Sequence, residues 1–348
     1  MELTGKRGKP SRRVRLQDIA HRCNVSVATV SRALSGTTGV RPDLVARIQA
    51  AAQEFSYALP ASMAGRRVMV LASGAAMIDY SRNQFTLNVM QGLEDRAALL
   101  NIGVLTRAVE TPEDERRALA EAEADATIAG LLFLTLDDAA MLAPTRGFRK
   151  PIVLVNGDDP VMQLSSIAPN NRAAGTLACD HLLGLGHRRI LFLMRRGRRT
   201  IERRFEGWRD RMQAEGVFDP GLVVEVEDWL PDLAAAAIER RIAVLGVDFT
   251  ALLAAGDALA LGAMDALARR GIDVPGQVSV MGMDGLPQGA FHSPGLSAIA
   301  MPMREIGAAA VDLLRDLVTG LPLPARRIEL ACRLLERGSV SVAHKGLT

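Results

Sequence analysis

The chain has 348 residues, 49% of them apolar and 23% charged, a balance that excludes wholesale disorder and leaves room for two or three domains with real cores. Its net charge of +3 conceals an uneven distribution: residues 1–67 carry twelve Lys and Arg against four acids, a net +8, leaving −5 for the other 281 residues. A positive end on an otherwise mildly acidic chain suits a polyanionic partner, although the basic residues up to Arg15 also read as a solvated tail.

Residues 1–13 are read as that basic, disordered tail, and their run MELTGKRGKPSRR has no apolar core of a secretion signal. Two short helical patterns follow over residues 16–34. Leu16, Ile19, Ala20 and Cys23 share one face of the first, and Val27, Val30 and Leu34 share one face of the second, with Ser26 placed to cap it. Asn24 stands in the turn between them, where a left-handed backbone is wanted. A third helix starts at Pro42 and carries Leu44, Val45, Ile48, Ala51, Ala52 and Phe55 as its apolar stripe. Periodicity alone leaves a helix-turn-helix unit or a generic helical hairpin.

The run DIAHRCNVSVATVSRALSG, with the third helix and Tyr57 behind it, resembles the headpiece of the lactose repressor and galactose repressor (LacI/GalR) family. Val25, Ser26, Thr29, Val30, Ser31 and Arg32 match its VSxxTVSR pattern position for position. The resemblance implies a headpiece over residues 14–57 whose second helix lies in the DNA major groove. By position, Val27 and Ala28 would meet base edges, and Arg32 would reach a guanine or a phosphate. Ser26, Thr29 and Ser31 would anchor to phosphates. Val27 and Ala28 also fit a partly core role, since Val27 lies near the apolar stripe.

Residues 58–66 are read as a short linker. Family members begin a hinge helix here with Pro-Asn, whereas this chain falls short of that pattern by about one helical turn. Met63 is the residue placed to act as a minor-groove wedge if the segment folds on DNA; a flexible linker is the alternative.

From Arg67 onward, strand-like runs at 68–73, 103–108, 129–135, 151–156, 189–194, 222–226, 251–255 and 278–283 alternate with helical patterns such as 85–100 and 203–214. Two sets of such alternation predict two subdomains with parallel sheets. The most apolar stretch, residues 245–264, contains Asp248, Gly256 and Asp257 and reads as a buried strand and helix, so no membrane span is expected. Here too the chain resembles the family, through Asn170-Asn171-Arg172-Ala173-Ala174-Gly175, His181 to Ile190, Gly262 to Leu267 and Gly271 to Asp284. That implies a periplasmic-binding-protein-like core over 67–341, with an N-subdomain over about 67–167 and 298–328 and a C-subdomain over about 168–297 and 329–341. The chain would cross between them near Ala168, Ser297 and Ile328.

Position matching nominates Arg204 as a charged donor to an effector in the cleft between the subdomains, Trp229 as a stacking wall, and Asp257 and Asp284 as acceptors for hydroxyl groups. Each of the four also fits ion pairing or plain packing. Two departures bear on that cleft: Gly256 stands where relatives often have Asn, and Asn170 where Asp is usual.

Rival functions lack their signatures. No GxGxxG follows a strand, and no P-loop, HExxH or GxSxG occurs. Gly184-Leu185-Gly186 reads as a helix stop, His187 as a turn residue, and the five histidines have no metal spacing. Cys23, Cys179 and Cys332 are far apart and read as reduced packing residues. A secreted solute-binding protein would share the core but not the headpiece.

The expected fold is therefore α/β, a three-helix helix-turn-helix headpiece plus a two-subdomain core with parallel sheets. The expected function is that of a cytoplasmic, homodimeric, sequence-specific regulator of transcription, a repressor by family analogy. It would bind a double-stranded operator under the control of a small carbohydrate-like effector, with no cofactor, metal or catalytic residue. The alternatives are an effector-independent regulator with a degenerate pocket and a solute-binding sensor.

Overall fold

The structure, a computed structural model, describes residues 16–34, 40–54, 63–73, 84–137, 139–318 and 323–344. The tail over 1–13 and the linker up to Ser62 lie outside them. The chain forms two compact units, one made chiefly of the first 64 residues and a core that begins at Gly65.

In the first unit, α1 (Leu16–Cys23), α2 (Val27–Leu34) and α3 (Pro42–Glu54) are each too short to stand alone in water. They share a core of Ile19, Ala20, Cys23, Val30, Ala33, Ile48, Ala51 and Ala52, every one of them apolar. Asn24 turns the chain between α1 and α2 with φ 51°, and the N–H of Val25 closes the turn on the carbonyl of Ala20 at 3.0 Å. Ser26 caps α2: its Oγ accepts the Thr29 N–H at 3.1 Å.

The core opens with β1 (Arg67–Ser73), α4 (Gln84–Leu99), β2 (Gly103–Val109), α5 (Pro112–Ala124), β3 (Ile128–Leu134), α6 (Ala139–Leu142), β4 (Ile152–Val155) and β5 (Ser165–Pro169). It continues with α7 (Asn171–Gly184), β6 (Ile190–Met194), α8 (Arg199–Ala214), β7 (Val223–Glu225), α9 (Pro231–Leu245), β8 (Ala251–Ala254), α10 (Asp257–Arg269) and β9 (Ser279–Asp284). The last elements are β10 (Ser297–Ala300), α11 (Met303–Val318), β11 (Arg327–Leu330) and β12 (Arg333–Leu335).

Two six-stranded sheets result, ordered β11-β5-β4-β3-β1-β2 and β12-β10-β9-β8-β6-β7. The first is parallel throughout, and the second carries β12 antiparallel at its edge. Every residue of β3, β4, β6 and β8 is buried, as parallel strands covered on both faces must be. The chain crosses between the sheets after β5, after β10 and after β11, each time a few residues beyond the expected point because the strand runs on. Each sheet with its helices is one lobe of the core.

In the second lobe, α7 and α8 cross where Gly175 faces the Arg204 carbonyl and Gly207 faces the Arg172 carbonyl. A Cβ on either glycine would stand 2.1 Å from the opposing oxygen, so only hydrogen permits this approach. Trp208, fully buried, then seats α8 on β6 through Phe192, with ring centroids 5.3 Å apart. Cys23 and Cys179 are buried and Cys332 is half-buried. His187 is 2% exposed and bonds Thr250 through Nδ1 and the Ser341 carbonyl through Nε2, both at 3.0 Å, pinning the C-terminal segment.

Candidate DNA-contacting helix and effector cleft

The shared core of the small unit takes Val30 and Ala33 from α2 and leaves the opposite face to solvent. Ser26, Val27, Ala28, Ser31 and Arg32 are exposed, and Thr29 is half-buried. Val27, which also fitted a core role, is 39% exposed. The Ser26 and Thr29 hydroxyls lie 2.8 Å apart, and the Arg32 guanidinium lies back along the helix with Nε donating to the Ala28 carbonyl at 3.3 Å. Three short polar side chains, two small apolar ones and a guanidinium thus share the outward face of the helix. Met63 is 2% exposed.

In the core, the side chains nominated from sequence converge at the C-terminal ends of β8 and β9. Arg204 donates through Nε to Asn171 Oδ1 at 2.8 Å and through Nη1 to the Ala255 carbonyl at 2.5 Å and Asp284 Oδ1 at 3.4 Å. The Gly175–Gly207 crossing is what brings α8 close enough to α7 for the Asn171 bond. Asp284 in turn accepts the Asp257 N–H on Oδ2 at 3.3 Å, setting a carboxylate at the N-terminus of α10. Burial pushes the Asp284 carboxyl above the usual range, with the Arg204 charge opposing the shift.

Trp229 is half-buried and lies against Gly256. A Cβ there would stand 3.1 Å from the indole and 3.4 Å from Asp284 Oδ2. The glycine therefore does more than remove an amide; it lets the indole close on the backbone beside Asp284. Asn170 is likewise explained by its position: it is the N-cap of α7, its Oδ1 accepting the Ala173 N–H at 2.9 Å.

Asp257 differs from the expectation. It is 1% exposed, and its Oδ2 accepts the Leu286 N–H at 2.7 Å, which anchors the loop after β9, while its Oδ1 is buried without a hydrogen-bond partner among the described residues. At the first position of α10 its side chain turns back toward that loop. Burial pushes its carboxyl up to about 7, and the Asp284 charge adds to the shift.

The first lobe faces this site with residues that sequence reasoning missed. Asn156 follows β4 with φ 51°, and Asp137 and Asp158 sit in the loops after β3 and β4, all of them buried. Arg198, Arg199 and Arg203 of the other lobe reach them. A small cavity beside this contact is lined by Asp158, Asn171, Thr200, Arg203, Arg327 and Glu329, among others. No helix among the described residues is long and apolar enough to cross a membrane, and no group of three metal-ligating side chains converges among them.

Residues 15–59 match the model of the lacI family of bacterial regulatory proteins, and residues 179–340 that of a periplasmic binding protein-like domain. The chain is 31% identical over 341 residues to the HTH-type transcriptional regulator MalR of Streptomyces coelicolor, covering 94% of this chain and 97% of that one. The chain belongs to the lacI family. It is a DNA-binding regulator of transcription, and α1 and α2 are its helix-turn-helix. Two solved structures share its fold at 24% identity and TM-scores of 0.71. One is a complex of the transcriptional regulator CelR with cellobiose, the other the lac repressor dimer bound to operator and the anti-inducer ONPF. They cover 94% and 95% of this chain, respectively, and 100% of their own.

Proposed function

We propose that this lacI-family regulator is a homodimeric repressor whose operator affinity is set by a small carbohydrate-like effector held between the two lobes of the core. The observation that carries the effector reading is the convergence of Arg204, Asp284 and Trp229 at the C-terminal ends of neighbouring parallel strands, where doubly wound sheets place their ligands. Arg204 has Nε and Nη1 committed to the protein, while Nη2 makes no hydrogen bond among the described residues and is the donor left for a ligand. The Trp229 indole beside it gives a sugar ring a flat face. Asp257 supports the site through the loop it anchors.

On DNA, Val27 and Ala28 at the start of α2 would meet base edges, Arg32 a guanine or phosphate, and Ser26, Thr29 and Ser31 the backbone. Met63 would act as a wedge only after leaving its buried position. Two headpieces reading half-sites require a dimer, and a regulator of genes works in the cytoplasm. Ligand binding would bias the lobes and through them the operator-binding state. The cleft senses rather than catalyses in this reading.

The test is a selection of genomic binding sites with the purified protein, followed by titration of the bound sites with sugars suggested by the neighbouring genes. Arg204→Ala should keep operator affinity and lose the response to ligand. An unchanged response in that variant would show that the pocket lies elsewhere.

A further inference from the structure

The first turn of α8 does not stay within its own lobe. Arg199 and Arg203, one helical turn apart, point to the other lobe, whereas Arg204 faces the Asn171–Asp284 side. Their common target is Asp158, whose side chain is 7% exposed: Arg203 Nε lies 2.9 Å from Oδ2 and Arg199 Nε 3.5 Å from it. Arg327, on the same lobe as Asp158, holds the other carboxylate oxygen and also donates to the Asp159 carbonyl at 2.9 Å. Beside this hub, Arg198 places Nε 3.4 Å from Asp137 Oδ1 and donates through Nη2 to the Asn156 carbonyl at 2.5 Å. The Asp137 side chain is 2% exposed.

We propose that these residues form an ionic latch, Arg198, Arg199 and Arg203 on Asp137, Asn156 and Asp158, that holds the two lobes of the core together. A buried pair gains little net stability against the cost of stripping its water, but removing one partner in the closed state strands the other in low dielectric. Opening the lobes relieves that strain by rehydrating the orphan. The latch therefore makes closure depend on its complete set of charges.

The latch is tested without ligand or DNA, so its failure is separate from failure of the effector reading. Nitroxide labels at Ala120→Cys in α5 and Ala236→Cys in α9, both exposed, report the distance between lobes. The full-length protein carries Cys332→Ser, since Cys23 and Cys179 are buried, and is diluted with unlabelled chain. Wild type should give one short, narrow distance distribution. Asp158→Asn should lengthen and broaden it by more than ~2 Å, the scale of a true domain rearrangement. Arg198→Gln, which breaks the second arm and leaves the hub intact, should do the same, and Arg203→Lys should remain short. A wild type already as open as the variants, or variants as closed as wild type, would overturn the proposal.

Discussion

Asp257 and Asp284 place two carboxyl groups against the N-terminus of α10 with one guanidinium, Arg204, between them and α7. Burial raises both carboxyls; the Arg204 charge opposes the shift on Asp284, to which it bonds, and the Asp284 charge adds to the shift on Asp257. A carboxyl raised from its ordinary 3.8 to about 7 prefers its proton in the folded state. Its contribution to stability is then complete below the unfolded value and is lost as pH rises through the folded one. Asp257→Asn keeps an acceptor for the Leu286 N–H and has no proton to lose. The variant should therefore gain on wild type in thermal stability from about pH 4 to about pH 7 and keep that gain above it, and a gap that stays constant across that window would show Asp257 to ionise alike in the folded and unfolded chain.

At the scale of elements, α2 is amphipathic in a way its eight residues need: one side completes the headpiece core and the other, which includes the capping Ser26, is exposed. Substitution on the outer face should separate binding from stability. Arg32→Ala should leave the headpiece folded, as seen by circular dichroism, and weaken operator binding by about 1–3 kcal/mol if the side chain makes a bidentate base contact. A loss that is uniform over operator and random duplex would assign Arg32 to phosphate instead. The contrast with α8 is instructive. Its pattern suggested a helix from residue 203, but it begins at Arg199, where the buried face is continued by Ile201 and the flanking arginines pair with acids of the facing lobe.

For the whole molecule, the concentration of positive charge in residues 1–67 has a direct consequence for association. Each Lys or Arg that neutralises a phosphate releases counterions, so affinity falls with salt in proportion to the number of such contacts. Deleting residues 1–13, which hold Lys6, Arg7, Lys9, Arg12 and Arg13, should lower affinity for any duplex and make the dependence of log affinity on log salt shallower. Fluorescence anisotropy over a salt series measures it; an unchanged slope would mean that the tail stays solvated beside the DNA.

The sequence by itself determined the parts whose signals are local. Two short helices and their turn follow from apolar spacing, an Asn able to take φ 51° and a serine cap, all within a few residues of one another, and the match of Val25, Ser26, Thr29, Val30, Ser31 and Arg32 to the family pattern made them a helix-turn-helix. The long buried strands announced themselves as apolar runs. The short strands β5, β10, β11 and β12 did not, because Ser165–Pro169 or Arg327–Leu330 carries too few apolar residues to show a period, and partners far along the chain make them strands.

Within the candidate site, the identities of Arg204, Trp229 and Asp284 were legible. Their state was not, since burial, pairing and the turning of Asp257 toward its loop depend on what surrounds them. The latch lay beyond sequence reading altogether: Asp137 and Asp158 look like ordinary loop acids until the two lobes place three guanidiniums over them. Electrostatic meaning inside a protein is set by distance and dielectric, and only the tertiary structure decides either.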